Sequence, residues 1–205
     1  MKHKKLKLLL LVWTIILLIN YYWTPYFVLP FVWLLTVGAL IIFILNQIFK
    51  FYNERKNISK ARILNIVVLS LLLFLTFYRF YEIPNRGIEK IDWLVLKNKR
   101  NEIVGRIKKG ELKPNVKWNN GICELPFEFP IISNGGNDVW IFKSEKNSNQ
   151  KTVKFFIFRN FFDSPSTYLI YTDDSEQMKY YEGKIKNNPK DNWKIEQNWY
   201  RINGY

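Results

Sequence analysis

The sequence predicts an α+β protein: three N-terminal transmembrane helices followed by a small domain with an N-terminal amphipathic helix packed on an antiparallel sheet. Three observations carry this expectation. Apolar residues are concentrated before Tyr81 in three long runs, and the composition turns polar, rich in Lys, Asn and Glu, from Glu82 onward. Basic residues bracket those runs. Beyond Pro114 the apolar spacing changes from a helical period to a period of two. The expected organisation is a membrane anchor over residues 1–81, a linker over 82–87 and an extracytoplasmic domain over 88–205.

The first apolar run, Leu8–Ile19, follows Lys2, Lys4, Lys5 and Lys7 and extends to a span over about 8–23. A charged start before a short apolar run also describes a secretory signal peptide. The bulky residues Asn20-Tyr21-Tyr22-Trp23 do not make a small-residue cleavage site, so the run reads as an uncleaved anchor. The second span, Phe27–Asn46, has 20 residues, about 30 Å of helix, which matches the hydrocarbon core. Pro30 falls in its first turn, where a missing N–H costs little. The third span, about 63–80, is apolar except for Asn65, Ser70 and Thr76 before Arg79. Asn46 and Asn65 are expected to serve interhelical hydrogen bonds or headgroup contacts.

The net charge of +14 invites a nucleic-acid reading, which the distribution of charge opposes. Residues 1–81 carry ten Lys/Arg against Glu54 alone, or +9, and residues 82–205 carry 21 against 16 acids, or +5. The N-terminal lysines and the Lys50–Arg62 loop together supply +8, while the turn over 20–26 carries no charge. Under the positive-inside rule both basic segments are cytoplasmic, and everything after Tyr81 lies outside. The expected location is a bacterial inner membrane, multi-pass, with the lipid bilayer and a protein as partners and no nucleic acid.

In the C-terminal region, Ile83-Pro84-Asn85-Arg86-Gly87 reads as a helix stop and linker. A helix is expected from Ile88 to Lys109, burying Ile88, Ile91, Val95, Ile103 and Ile107 and exposing Glu89, Lys90, Lys97, Arg100 and Lys108, with Gly110 past its end; the alternative is a strand at Asp92–Leu96 with the helix beginning after it. About five strands are expected after it. Residues 121–129, interrupted by Pro126, form an irregular strand; Val139–Lys143 and Thr152–Arg159 pair as a hairpin; Thr167–Thr172 is a further strand. The acids and hydroxyl of Asp173-Asp174-Ser175-Glu176 cap a short helix reaching about Tyr181. The segment from Trp193 to Ile202 is either a two-residue hairpin or one bulged strand. Phe155, Phe156, Ile157, Phe158, Phe161 and Phe162 are expected to be mostly core.

Several short elements of this region carry a resemblance: Arg100-Asn101-Glu102-Ile103-Val104, Gly110-Glu111-Leu112, Leu125-Pro126, Asn134-Gly135-Gly136-Asn137, Phe156-Ile157-Phe158-Arg159 and Asn198-Trp199-Tyr200. In their order the chain resembles a set of uncharacterised bacterial membrane-anchored proteins with a small C-terminal domain. The resemblance covers about half the chain and implies no activity.

The residues themselves supply little catalytic chemistry. His3 is the sole histidine and stands in the basic start, so the outer domain has no Ser–His or Cys–His pair. Cys123 stands alone and reads as a small buried residue. No cofactor and no metal is expected, because neither Asn134/Asn137/Asp138 nor Asp173/Asp174/Glu176 has calcium-loop spacing. A hydrolase pair could draw on Glu124, Glu128, Asp138, Asp163 and Asp173, but no spacing selects two of them. Arg159 and Asp163, at the end of an apolar strand, place a guanidinium and a carboxylate near each other, although a structural ion pair is the favoured explanation of them. The candidate interaction residues are therefore Arg159, Phe161, Phe162, Asp163 and Asp173. The expected function is a membrane-anchored extracytoplasmic interaction module with an immunity-type or envelope-assembly role. The alternatives are a carboxylate-dependent envelope enzyme and an oligomeric small membrane transporter.

Overall fold

The computed structural model describes residues 3–22, 28–80, 82–134, 136–144, 147, 149–158 and 165–204. The chain divides into two compact units, Met1–Lys90 and Ile91–Tyr205.

The first unit holds α1 (His3–Tyr22), α2 (Val28–Asn53) and α3 (Lys60–Phe77). All three contain segments long and apolar enough to cross a membrane, of 19, 23 and 18 residues with mean hydropathy 1.6, 2.2 and 1.9. Their outward positions are apolar too: Phe31, Leu34 and Leu35 are exposed, the pattern of a helix whose surroundings are not water. Leu40, Leu69 and Leu72 form the buried centre, with Trp13 and Ile44 packed against it. Trp13 donates its indole N–H to Thr76 Oγ1 at 2.9 Å.

The basic loop is shorter than the sequence implied, because α2 continues through Lys50 to Asn53. Arg62 closes the turn. Its guanidinium reaches Glu54 through Nε at 3.1 Å and Nη2 at 2.5 Å, and donates Nη1 to Gln47 at 2.7 Å. Ser59 caps α3. The polar bridge between α2 and α3 thus uses Gln47, which is buried, and not Asn46, which is exposed.

The second unit is built on a six-stranded antiparallel sheet in the order β1-β2-β3-β4-β6-β5. The strands are β1 (Ile122–Glu124), β2 (Asp138–Lys143), β3 (Lys151–Phe158), β4 (Ser166–Thr172), β5 (Trp193–Glu196) and β6 (Trp199–Gly204). The expected hairpin is present as β2–β3, with Val139 opposite Phe155 and Lys143 opposite Lys151. At the C-terminus both expected features occur together. Gln197-Asn198 joins β5 to β6 with Asn198 at φ 67°, and the register shifts between Lys194 and Glu196.

Helix α4 (Pro84–Lys108) begins inside the segment expected to be a linker, because Pro84 suits a first helical turn, where no N–H is required. It ends at Gly110, whose φ of +77° is a left-handed conformation that a Cβ would strain. Trp93 meets Trp199 edge-on at 4.9 Å, and Trp199 donates to Asn101 Oδ1 at 3.0 Å, which seats α4 on the sheet. Val139, Val153, Phe155 and Leu169 are buried on this face.

The buried face of α4 matches the expected one at Ile103 and Ile107 and departs from it in the N-terminal half of the helix and at Arg100. Asp92, Trp93, Leu96, Arg100, Ile103, Val104 and Ile107 are buried, while Ile91 and Val95 are 62% and 65% exposed. Arg100 and Asp92 pair inside at 2.6 Å, and Arg100 also donates to Ile132 O. Hydrophobic spacing alone misplaced the helix by assuming that its charges face water; a paired charge can occupy the core.

Helix α5 (Ser175–Asn187) lies on the opposite face. Asp174 caps it, accepting from the N–H of Glu176 at 2.9 Å. Tyr181, Ile170, Tyr200 and Ile202 form the core there, with Met178 and Ile185 packed against them.

Candidate functional site

Among the described residues, α5 is the helix on the face of the sheet opposite α4, and it covers β4, β5 and β6 rather than β2 and β3. Alternation along the strands places Trp140 and Phe142 of β2, Thr152, Lys154 and Phe156 of β3, and Tyr168, Ile170 and Thr172 of β4 on this side. Helix α5 packs on β4, β5 and β6. A cavity of about 500 Å3 remains beside its first turns, lined by Phe142, Thr152, Lys154, Asp174, Glu176 and Tyr180 among others. That is within the size range of small-ligand sites.

Lys154 is the chemical centre of this groove. Its register partners are Trp140 and Ile170, so it rises from the middle of the sheet. Its Nζ stands 4.9 Å from the Phe142 ring centroid and 5.4 Å from that of Tyr168. Beside these rings, outside the cavity lining, lie the buried Phe156, 4.9 Å from Tyr168, and Trp140, 5.8 Å from Phe142. No carboxylate pairs with Lys154 among the described residues. Burial, aided by the charge of Lys184, pushes its pKa below the ordinary lysine value. The ring faces offset part of that cost. An anion brought to the amine would offset more, so the site is disposed to take a carboxylate or similar single anion beside an apolar group.

Around the amine the polar groups are fixed. Thr152 and Thr172 share a hydroxyl hydrogen bond at 2.8 Å, and the Asp174 N–H donates to Thr172 Oγ1 at 3.2 Å. Burial pushes the Tyr181 hydroxyl pKa upward, so that group stays neutral. The indole N–H of Trp140 is enclosed and finds no hydrogen-bond partner among the described residues.

Four of the five residues singled out from the sequence, Arg159, Phe161, Phe162 and Asp163, lie outside the described residues. Asp173 is described but does not enter the groove. It binds Lys108 Nζ at 2.5 Å and accepts the Lys151 N–H at 2.7 Å, joining the end of α4 to the start of β3. This bond raises the Lys108 pKa. Its neighbour Asp174 lines the groove instead. Cys123 is buried in β1, and burial pushes its thiol pKa up.

Of the acids considered for hydrolysis, Glu124 and Glu128 line a separate cleft of about 880 Å3 beside α4, where Glu128 is ion-paired with Lys99. Among the described residues no three His, Cys, Asp or Glu side chains converge to hold a metal ion. Sequence reasoning missed Lys154 because its significance lies in rings contributed by β2 and β4. The available signal was a lysine at an apolar-parity position of an otherwise aromatic strand. Comparison with protein-family models, curated proteins and solved structures found no match.

Proposed function

We propose that the chain is a membrane-anchored interaction module of the bacterial envelope, with α1–α3 spanning the inner membrane and the sheet domain outside. The groove beside α5 carries this reading: among the described residues, its lining presents Lys154 between aromatic rings and without a carboxylate partner. A protein segment supplying a carboxylate next to an apolar side chain has the chemistry to fill it. The carboxylate would meet the amine, and the apolar side chain would lie on Phe142. Charge supports the orientation, since the N-terminal lysines and the α2–α3 turn hold most of the positive excess.

A photoreactive residue at Phe142 in the full-length protein, irradiated in native membranes, tests this. A protein adduct of one mass is expected, abolished by Lys154→Glu and absent when the probe is moved to Lys179 on the exposed side of α5. Labelling that is indifferent to Lys154→Glu would overturn the reading.

A further inference from the structure

The second cavity of interest lies on the α4 face and is lined by lysines. Lys108 and Lys109 come from the end of α4, Lys113 from the loop after Gly110, Lys143 from the end of β2 and Lys151 from the start of β3. These residues are up to 43 positions apart in sequence (Lys108 to Lys151) and meet in a cleft of about 740 Å3 with no carboxylate among the described residues of its lining. Lys108 is bound to Asp173. Lys109, Lys113 and Lys143 have no carboxylate partner among the described residues.

Lys143 and Lys151 are also direct cross-strand partners. Like charges placed opposite each other disfavour a hairpin, and an anion bound beside Lys143 would offset that repulsion. Two of the lysines complement the negative end of the α4 dipole, but that accounts for neither Lys143 nor Lys151. The floor is apolar: Ile107 and Ile141 are buried, and Leu112, Val116 and Phe142 border them.

We propose that this cleft binds a small phosphorylated molecule, its phosphoryl oxygens held by Lys109, Lys113 and Lys143 and its less polar part resting on Ile107 and Ile141. Several ammonium groups call for a ligand carrying more than one negative charge, and lysine binds phosphate as a compact point charge. A single carboxylate would leave most of the cleft's charge uncompensated. The same phosphoryl chemistry occurs on a soluble phosphate ester and on a lipid headgroup. The cleft borders the Lys154 groove at the end of β2, where Phe142 and Lys143 line both, but Lys154, Lys109 and Lys113 each line one of the two alone.

The test uses the full-length protein in neutral detergent, titrated with inorganic pyrophosphate and, separately, with water-soluble short-chain phosphatidic acid. Saturable binding of either is expected, weakened at least about tenfold by Lys109→Gln together with Lys113→Gln and weakened by added salt. Pyrophosphate binding assigns a soluble ligand, and binding of phosphatidic acid alone assigns a headgroup. Lys154→Gln is expected to leave both unchanged, which separates this site from the groove. Because the substituted lysines are exposed, the variants should keep the wild-type melting temperature, and Lys143→Gln alone provides an independent variant. No binding of either probe, or binding that all these variants retain, would overturn the proposal. So would tighter binding of a single-stranded oligonucleotide with the same lysine dependence.

Discussion

Asp92 and Arg100 show how a single pair of side chains orients a helix. Their side chains are 1% and 3% exposed and meet at 2.6 Å inside the domain. Asp92→Ala would leave the guanidinium buried with only the Ile132 carbonyl as its named acceptor. The expected loss is about 3–5 kcal/mol, seen as faster hydrogen exchange of the β3 and β4 amides in the full-length protein. Replacing both residues by Leu and Met should restore much of the protection. Lys154 makes the opposite kind of prediction. Since its pKa is depressed below 10.5 in the folded protein, the unfolded chain holds more protons between the folded value and 10.5. Stability therefore rises with pH through that window, and the desolvation cost is fully present below it. Lys154→Met should stabilise the protein at neutral pH by roughly 1 kcal/mol, and the difference should shrink as the pH approaches 10.5. Melting curves at neutral and alkaline pH check this. Neither residue was legible in the sequence, where Arg100 counted as solvated and Lys154 as one cation among 31 Lys/Arg. Their roles depend on partners eight residues and a strand away.

Among the secondary elements, those with strong local signals were legible. Gly110 and Pro114 marked the end of α4, Asp174 capped α5, and the β2–β3 hairpin follows alternation around a polar loop. What alternation did not reveal is which face each helix covers. Helix α5 packs on β4, β5 and β6 rather than on β2 and β3, a matter of where the crossover after β4 returns. Trp199 is the element-level anchor on the other face, where it meets Trp93, Phe155 and Tyr171 at ring distances of 4.9, 5.8 and 5.6 Å. Trp199→Ala should cost about 3–5 kcal/mol. Amide exchange should then rise first in α4 and β6, while α5, packed through Tyr181 on the far side, is expected to loosen later.

At the scale of the whole molecule, the sequence carried the division between apolar helices and a polar α+β region, because composition is insensitive to tertiary detail. It failed on the distribution of charge beyond Tyr81. Along the chain the +5 looks dispersed, yet folding brings Lys108, Lys109, Lys113, Lys143 and Lys151 to one cleft. The N-terminal excess reads differently: Arg62 is tied to Glu54 and Gln47, so the proposed orientation rests on Lys50, Arg55, Lys56 and Lys60 with the N-terminal lysines. The central claim is that α1–α3 cross the membrane and place the sheet domain opposite the α2–α3 turn. Cysteine accessibility in intact cells tests it most directly, with Cys123, which is 1% exposed, replaced by alanine. Asn149→Cys should react with a membrane-impermeant maleimide in intact cells, and Ser59→Cys should react only after lysis. Reaction at Ser59→Cys but not at Asn149→Cys in intact cells would contradict the account.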